Sequence, residues 1–363
     1  MWAVVTTGTG GYDKLEYQEV PRPVPQAGEV LINVLAAGVN NTEVNTRAGW
    51  YSKSVTVSSN DMLQRQEAQQ EDICDGGWGA PTPWPLIQGT DCCGRVEEAA
   101  DPVHSALLGK RVIVRASMRP EGFGSWKNVW MGSDFNGAFA QYVCIPGSEV
   151  FAVPDDCAWT NAELAAVPCA YGTSETMLNK AKVATGDHVL IPGASGGVGT
   201  AAVQLCKIRG ARVTAITSAG KEDRVAALGA DRVLTRGDVD WVSLKETVDV
   251  VVDNVGGEDF DDILESLKRG GRLVTSGAVG GPLVRLDMRT LYLKNLSLFG
   301  TTAWDEACFP SLIEYIKRDE FRPVVEKTYP LAQIATAQRD LATRKHLGKI
   351  VLLPPPPESA STQ

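Results

Sequence analysis

At 363 residues the chain is too long for one ordinary domain and suits two. Hydrophobic content of 44% with 22% charged residues describes a globular protein with ample core, and no run of about 18 apolar residues exists to cross a membrane. A net charge of −9 argues against nucleic-acid and membrane-surface partners, since either needs a basic face.

The first residues, Met-Trp-Ala-Val-Val-Thr-Thr, have neither the basic nor the long apolar region of a signal peptide. This predicts a cytoplasmic protein whose eight scattered cysteines are reduced core residues. Residues 30–34, 94–96, 111–114 and 138–145 are short strand-like runs punctuated by glycine and proline, and they predict a small, mostly β domain over residues 1–152. Two long connections interrupt it. Residues 52–85 carry a Gln/Glu-rich, helical-looking core at 60–72, and loops of this length are lids, interaction surfaces or disordered. Residues 117–135 carry Phe123, Trp126, Trp130 and Met131, which line an apolar pocket, form an oligomer contact or pack under the loop.

Residues 188–199 read His-Val-Leu-Ile-Pro-Gly-Ala-Ser-Gly-Gly-Val-Gly, an apolar run that drops into glycines and opens a helix. In that helix Val198, Ala201, Ala202, Leu205 and Cys206 recur at amphipathic spacing, and the pattern stops at Gly210. Such a helix N-terminus aims backbone N–H groups and the positive end of the helix dipole at a phosphate. Ala194, Ser195, Gly196, Gly197 and Val198 therefore form the expected pyrophosphate seat. Gly196 and Gly199 fit the second and third positions of the dinucleotide fingerprint, while Ala194 stands at the first. Runs at 189–191, 212–216, 232–234, 249–252, 272–275 and 296–299 read as strands, with helices starting near Lys221 and Asp259. Six strands with crossovers predict a doubly wound parallel sheet, a Rossmann-type dinucleotide-binding domain over residues 153–301. Residues 302–353 then return to the β domain through helical stretches at 311–317 and 331–344 and a last strand at 348–352. The proline- and serine-rich residues 354–363 are expected to be disordered.

The cofactor follows from the end of the second strand. An NAD site places Asp or Glu there, about 20 residues past the glycines, to bind the ribose 2′-hydroxyl. Here the chain reads Ile-Thr-Ser-Ala-Gly-Lys, and Ser218 and Lys221 suit a 2′-phosphate, although Glu222 and Asp223 lie close by. NADPH rather than NADH is expected.

Four motifs, in order, carry a family resemblance: Gly-Ala-Phe-Ala-Gln-Tyr-Val at 137–143, Gly-Ala-Ser-Gly-Gly-Val-Gly at 193–199, Asp-Val-Val-Val-Asp-Asn-Val-Gly-Gly at 249–257 and Gly-Lys-Ile-Val-Leu at 348–352. They resemble the medium-chain dehydrogenase/reductase superfamily, nearest its zinc-free, zeta-crystallin-like quinone oxidoreductases and their enoyl-reductase relatives. The resemblance implies an α/β protein in which a Rossmann-type sheet is inserted in a GroES-like, mostly β catalytic domain. Among cofactor contacts it implies Thr173, where the helix beneath the cofactor starts, Asn254 and Val255 after the fourth strand, and the backbone at Gly277, Ala278, Gly300 and Thr301. Lys349 of the closing motif joins that set. Family members dimerise through a strand of the cofactor domain, here 296–299, so a homodimer is expected.

The zinc dehydrogenases of the superfamily carry cysteine where this chain has Asn40 and histidine where it has Thr90. An amide and a hydroxyl are poor replacements for thiolate and imidazole on zinc, so no metal is expected. Without one, hydride addition to an activated C=C or a quinone, which needs placement and some hydrogen bonding, is favoured over alcohol chemistry. By resemblance to the mitochondrial enoyl-thioester reductases, Tyr51 is the expected general acid and Asn40 the residue that helps to set nicotinamide and substrate. In quinone reductases the same tyrosine shapes the pocket, and packing against Trp50 is its purely structural alternative. The expected protein is thus an NADPH-dependent, zinc-independent reductase of a small-molecule enone, enoyl thioester or quinone. An alcohol/ketone oxidoreductase and a non-catalytic NADPH-binding protein are the alternatives.

Overall fold

The computed structural model describes residues 1–68 and 81–357, and its chain divides into two units. One comprises Met1–Lys53, Leu63–Cys169 and Phe309–Gln363; the other comprises Ser54–Met62 and Ala170–Cys308. The first unit is built around the strand Glu29–Val39, whose run Glu-Val-Leu-Ile-Asn-Val-Leu-Ala-Ala-Gly-Val is buried on both faces. It pairs antiparallel with Cys93–Ala99, Tyr142–Pro146 and the returning strand Lys349–Leu353. Gly94 lets two of these strands close up, because a Cβ there would sit 2.3 Å from Ile32 Cγ2 and 2.5 Å from Asn33 O. The last pairing sets Ile350 opposite Val39 and Val351 opposite Gly38. That register delivers Lys349, from the far end of the chain, beside Asn40.

The expected strand at 138–145 is shorter than its pattern. Only Tyr142–Pro146 pairs as a strand, because Gly137, Ala138 and Phe139 donate their N–H groups to Ile87, Gly89 and Gln88 instead. Residues 153–169, expected in the nucleotide domain, belong to the first unit: Trp159 Nε1 donates to Asp319 Oδ1 at 2.7 Å. Residues 302–308 belong to the second, where Trp304 packs on Gly172. Within the expected disordered tail, residues 354–357 are ordered by Gln141, whose amide nitrogen lies 3.0 Å from Pro355 O and 3.2 Å from Pro356 O; residues 358–363 lie outside the described residues. Of the 52–85 connection, residues 59–67 form the helix Ser59–Glu67, while residues 69–80 lie outside the described residues. In the other long connection Ser117–Met118 pairs with Val129–Trp130, Trp130 and Met131 are buried, and the exposed Trp126 lies beside the Arg119 guanidinium.

The second unit is a six-stranded, all-parallel sheet. In spatial order its strands are Arg232–Thr235, Arg212–Thr217, His188–Ile191, Val248–Asp253, Leu267–Thr275 and Ser297–Gly300, the doubly wound order of a dinucleotide fold. Leu190, Ile216, Val251 and Leu273 from the sheet pack with Ile263 and Leu264 of the helix Phe260–Ser266. His188 is a structural histidine: its ring nitrogens lie 2.9 Å from Thr247 O and 2.8 Å from Thr214 Oγ1, and burial pulls its pKa down. Among the described residues, no helix is long and apolar enough to cross a membrane.

Candidate active site

The helix Asn41–Ala48 carries the first unit's candidate residues at its two ends. At its start Glu43 reaches back to accept from the Asn40 N–H at 2.7 Å, half of a capping box. The other Glu43 oxygen accepts from Thr90 N at 2.9 Å and Thr90 Oγ1 at 2.7 Å. Asp91 lies against Gly38, where a Cβ would stand 2.3 Å from its Oδ2; glycine is therefore required for the carboxylate to come this close. One Asp91 oxygen takes the Cys169 N–H at 2.6 Å, and the other takes Asn40 Nδ2 at 3.0 Å and the Lys349 ammonium at 2.8 Å. Lys349 also donates to Val39 O at 3.0 Å and to Asn40 Oδ1.

All five side chains are buried. Burial pushes the Glu43 carboxyl up in pKa against the pull of Thr90 and Lys349. Burial alone would lower Lys349, but Asp91, with help from Cys169 and Glu43, outweighs it and raises the ammonium. Lys349 and Asn40 are both engaged inside this network. An ammonium has three N–H donors, and those of Lys349 are taken by Val39, Asn40 and Asp91, so it is a buried counter-ion with no donor left for a cofactor. The Asn40 amide is engaged at both ends within this network, its nitrogen with Glu43, Thr90 and Asp91 and its oxygen with Lys349.

The same network decides the fit of a metal. At the two zinc-ligand positions, Asn40 Oδ1 accepts from Lys349, while Thr90 Oγ1 accepts from Asn40 Nδ2 and donates to Glu43, and a cation placed there would face the Lys349 ammonium. These residues do not fit zinc. Among the described residues, no group of three or more His, Cys, Asp or Glu side chains is placed to hold a metal ion.

At the other end of the helix, Gly49 adopts the left-handed conformation, φ 75°, and Trp50 N–H donates to Asn45 O at 2.9 Å. The chain turns back and brings the Tyr51 hydroxyl to the side chains of Asn45 and Thr42, neighbours on one helix face, whose polar groups pull its pKa down against burial. Burial drives its pKa well above the ordinary phenol range, so the group is protonated. The Trp50 ring meets Tyr51 edge-on at 5.4 Å, so the packing contact is present as well.

In the second unit the expected cofactor residues gather at the carboxyl ends of the parallel strands, where open α/β sheets bind ligands. Gly193 takes φ 66°, and a Cβ on Gly199 would lie 2.3 Å from Gly193 O. The tight turn is thus made at Gly193, one residue before the fingerprint's first position, which is why Ala194 is tolerated there and buried. Ser195, Gly196, Gly197 and Val198 are half-buried at the N-terminus of the helix Gly197–Ile208. Ser174, which sequence reasoning missed, has its hydroxyl 2.9 Å from Val198 O and ties the turn to the helix Pro168–Lys180, whose Thr173 is half-buried. Asn254 Oδ1 accepts from Ser276 N at 3.1 Å and Ser276 Oγ at 2.6 Å, and Gly280 N donates to Val255 O at 2.8 Å. Thr275 Oγ1 donates to Gly277 O at 3.0 Å and Thr301 N donates to Thr275 O at 2.9 Å, so the loops that carry Ala278 and Gly300 are fixed to each other. After the second strand Ser218 is half-buried and Lys221 buried. Glu222 accepts from Gly220 N and Thr235 Oγ1, each at 2.7 Å. Gly193 and Gly199 leave the close backbone approach that a pyrophosphate needs, and these residues fit a dinucleotide.

Residues 26–155 match the alcohol dehydrogenase GroES-like domain, and residues 228–352 match the zinc-binding dehydrogenase family. The acryloyl-coenzyme A reductase of Metallosphaera sedula is 28% identical over 97% of this chain and 99% of its own length. The quinone oxidoreductase of Rattus norvegicus is 25% identical over 95% of each. The crystal structure of a putative alcohol dehydrogenase from Sinorhizobium meliloti 1021 superposes with a TM-score of 0.88 at 38% identity, covering 98% of this chain and 97% of that one. The chain is an oxidoreductase and belongs to the medium-chain dehydrogenase/reductase superfamily, in its quinone oxidoreductase and enoyl reductase branch.

Proposed function

We propose that the protein is an NADPH-dependent, zinc-independent reductase of α,β-unsaturated carbonyl compounds or thioesters. The observation that carries this reading is the Tyr51 hydroxyl, kept protonated by burial and held by Asn45 and Thr42 near a network that does not fit a metal. Reduction of an activated C=C needs an acid able to protonate carbon, whereas zinc alcohol chemistry needs thiolate and imidazole where this chain has Asn40 and Thr90. When bound, NADPH supplies the hydride. Residues 195–198 hold its pyrophosphate, the loops at Asn254, Gly277 and Thr301 hold the nicotinamide end, and Ser218 and Lys221 hold the 2′-phosphate. Glu222, the acid that a 2′-hydroxyl would seek, is already shared between Gly220 and Thr235, which supports NADPH over NADH. The acryloyl-coenzyme A reductase relative supports an enoyl thioester as acceptor.

The test follows NADPH oxidation by chelator-treated protein with a short enoyl-CoA, a simple enone and a quinone in parallel. Turnover of the enone or enoyl-CoA is expected, with NADPH preferred over NADH and the preference weakened in Lys221→Ala. Silence from all three acceptors, with alcohol oxidation restored by zinc, would overturn the reading in favour of an alcohol dehydrogenase.

We further propose a homodimer formed along Ser297–Gly300. This strand ends the described sheet, and Leu298 on it and Met288, Tyr292 and Leu293 just before it are exposed. Sedimentation should give twice the 38.9 kDa chain mass, and Leu298→Asp should halve it; a wild-type monomer would refute the assembly.

A further inference from the structure

We propose that the end of the ribbon formed by Ser117–Met118 and Val129–Trp130 binds a phosphate group, and that its ligand is the phosphorylated adenosine end of a coenzyme A thioester. The inference deepens the reading of the acceptor as an enoyl thioester and rests on it. Ser117 stands opposite Trp130 and Met118 opposite Val129, so Arg119 and Asn128 are the next residues beyond the paired ends. Ser117 Oγ, Arg119 Nε and Asn128 Nδ2 are buried and have no hydrogen-bond partner among the described residues. The last two can only donate, and a hydroxyl can do so as well. Buried polar groups are nearly always paired, so a group of orphan donors at one end of one ribbon calls for an acceptor. Arg119 also lacks a counter-ion. It is 7% exposed, and its one hydrogen bond among the described residues runs from Nη2 to Phe123 O at 3.1 Å. The acids of the same connection are engaged elsewhere: Glu121 accepts from Lys127 at 2.7 Å and Ser125 at 3.1 Å, and Asp134 accepts from Trp130 N at 2.7 Å. Arg115, by contrast, has the Glu149 carboxylate at 2.5 Å. A buried charge is costly unless paired, and a phosphate would bring both the missing negative charge and oxygens for every orphan donor.

The surroundings point to the rest of the ligand. The Arg119 guanidinium carbon lies 5.7 Å from the Phe123 ring centre and 5.3 Å from that of Trp126, and Trp126 is 71% exposed. A large exposed indole beside a phosphate-binding guanidinium gives a purine a surface to stack on. The loop between the two strands leaves room for it, since a Cβ on Gly122 or Gly124 would meet nothing within 4 Å. Coenzyme A carries a purine and a 3′-phosphate on one ribose and satisfies both features at once, whereas a simple enone or a quinone carries neither. The ribbon is also tied to the network described above. It runs on into Gly132, where a Cβ would stand 2.8 Å from the backbone nitrogen of Gly89, the residue before Thr90.

The test is calorimetric titration of the wild type, Arg119→Met and Trp126→Ala with coenzyme A, 3′-dephospho-coenzyme A and inorganic phosphate, in the absence of NADPH. The wild type should bind coenzyme A about tenfold more tightly than the dephospho form, the scale of one hydrogen bond to a charged group, and phosphate should compete weakly. Arg119→Met should abolish that discrimination. Trp126→Ala, a change at an exposed side chain that keeps the test open should Arg119→Met fail to fold, should weaken both coenzymes by about tenfold and preserve it. In turnover, the ratio of kcat/KM for an enoyl-CoA over its 3′-dephospho form should fall from about ten toward one in Arg119→Met, and a ratio cancels any general loss of folded enzyme. Equal binding of the two coenzymes by the wild type would overturn the proposal. So would a discrimination that survives Arg119→Met and disappears in Lys221→Ala, which would put the nucleotide in the cofactor site. Phosphate bound as tightly as coenzyme A would overturn the nucleotide as ligand and leave a site for free oxyanions. A wild type that discriminates between the coenzymes yet reduces no enoyl thioester would overturn the reading of the acceptor and uphold the binding site.

Discussion

Lys349→Met should destabilise the first unit by about 3–5 kcal/mol, the usual result of removing one partner of a buried ion pair. The side chains of Lys349 and Asp91 are 6% and 0% exposed, so solvent cannot take over the carboxylate that the substitution strands. Asn40 loses the donor to its Oδ1 in the same step, and Glu43, whose carboxyl burial already pushes up in pKa, loses a nearby positive charge. The double variant Lys349→Met with Asp91→Asn should recover a large part of the loss, because a neutral amide still reaches Asn40 without an uncompensated charge. Urea unfolding of the wild type, both single variants and the double variant gives the coupling energy directly. A single-variant cost below about 1 kcal/mol would mean that Asp91 finds another cation or takes up a proton, as expected only of an exposed pair.

The nucleotide unit was legible because strands buried on both faces of a parallel sheet read as unbroken apolar runs. Leu190, Val251 and Leu273 are such residues, and the glycines that follow the first strand are local in sequence. The Ala194 departure from the fingerprint became intelligible only with backbone angles, since Gly193 makes the turn. The 138–141 segment has the alternation of a strand, yet Ala138 and Phe139 give their N–H groups to Gly89 and Gln88 and Gln141 gives its own to Trp2, a competition no local pattern reports. Asn40 and Tyr51 were singled out by family resemblance, whereas the capping contact from Glu43 to Asn40 emerged from the structure. The partnership of Asp91 with Lys349 was not, because it exists only through the register that sets Ile350 opposite Val39. Lys349 was consequently assigned to the cofactor, whereas the strand pairing delivers it to Asp91. Thr42 and Asn45 carried no signal beyond sharing a helix face.

Tyr51→Phe should lower kcat for an enone or enoyl thioester by about 10²–10⁴, the usual contribution of a positioned general acid, while a quinone should lose little. The contrast arises from the atom that receives the proton. Carbon acids exchange protons slowly with water, so an enolate needs an acid held at its α-carbon; the oxygen of a reduced quinone takes its proton from solvent. Phenylalanine keeps the ring and its edge contact with Trp50, so KM should move little and the loss should appear in kcat. Burial raises the Tyr51 pKa, so the wild-type rate should show no basic limb from this group across the neutral range, and any limb seen there belongs to another group. Parallel steady-state measurements on the two acceptor classes decide the role. Equal losses on both would make Tyr51 a residue that shapes the pocket, and no loss on either would transfer protonation to water. A loss confined to the carbon acceptors would place the proton on Tyr51 and make the C=C bond, rather than the quinone, the substrate for which this helix turn is built.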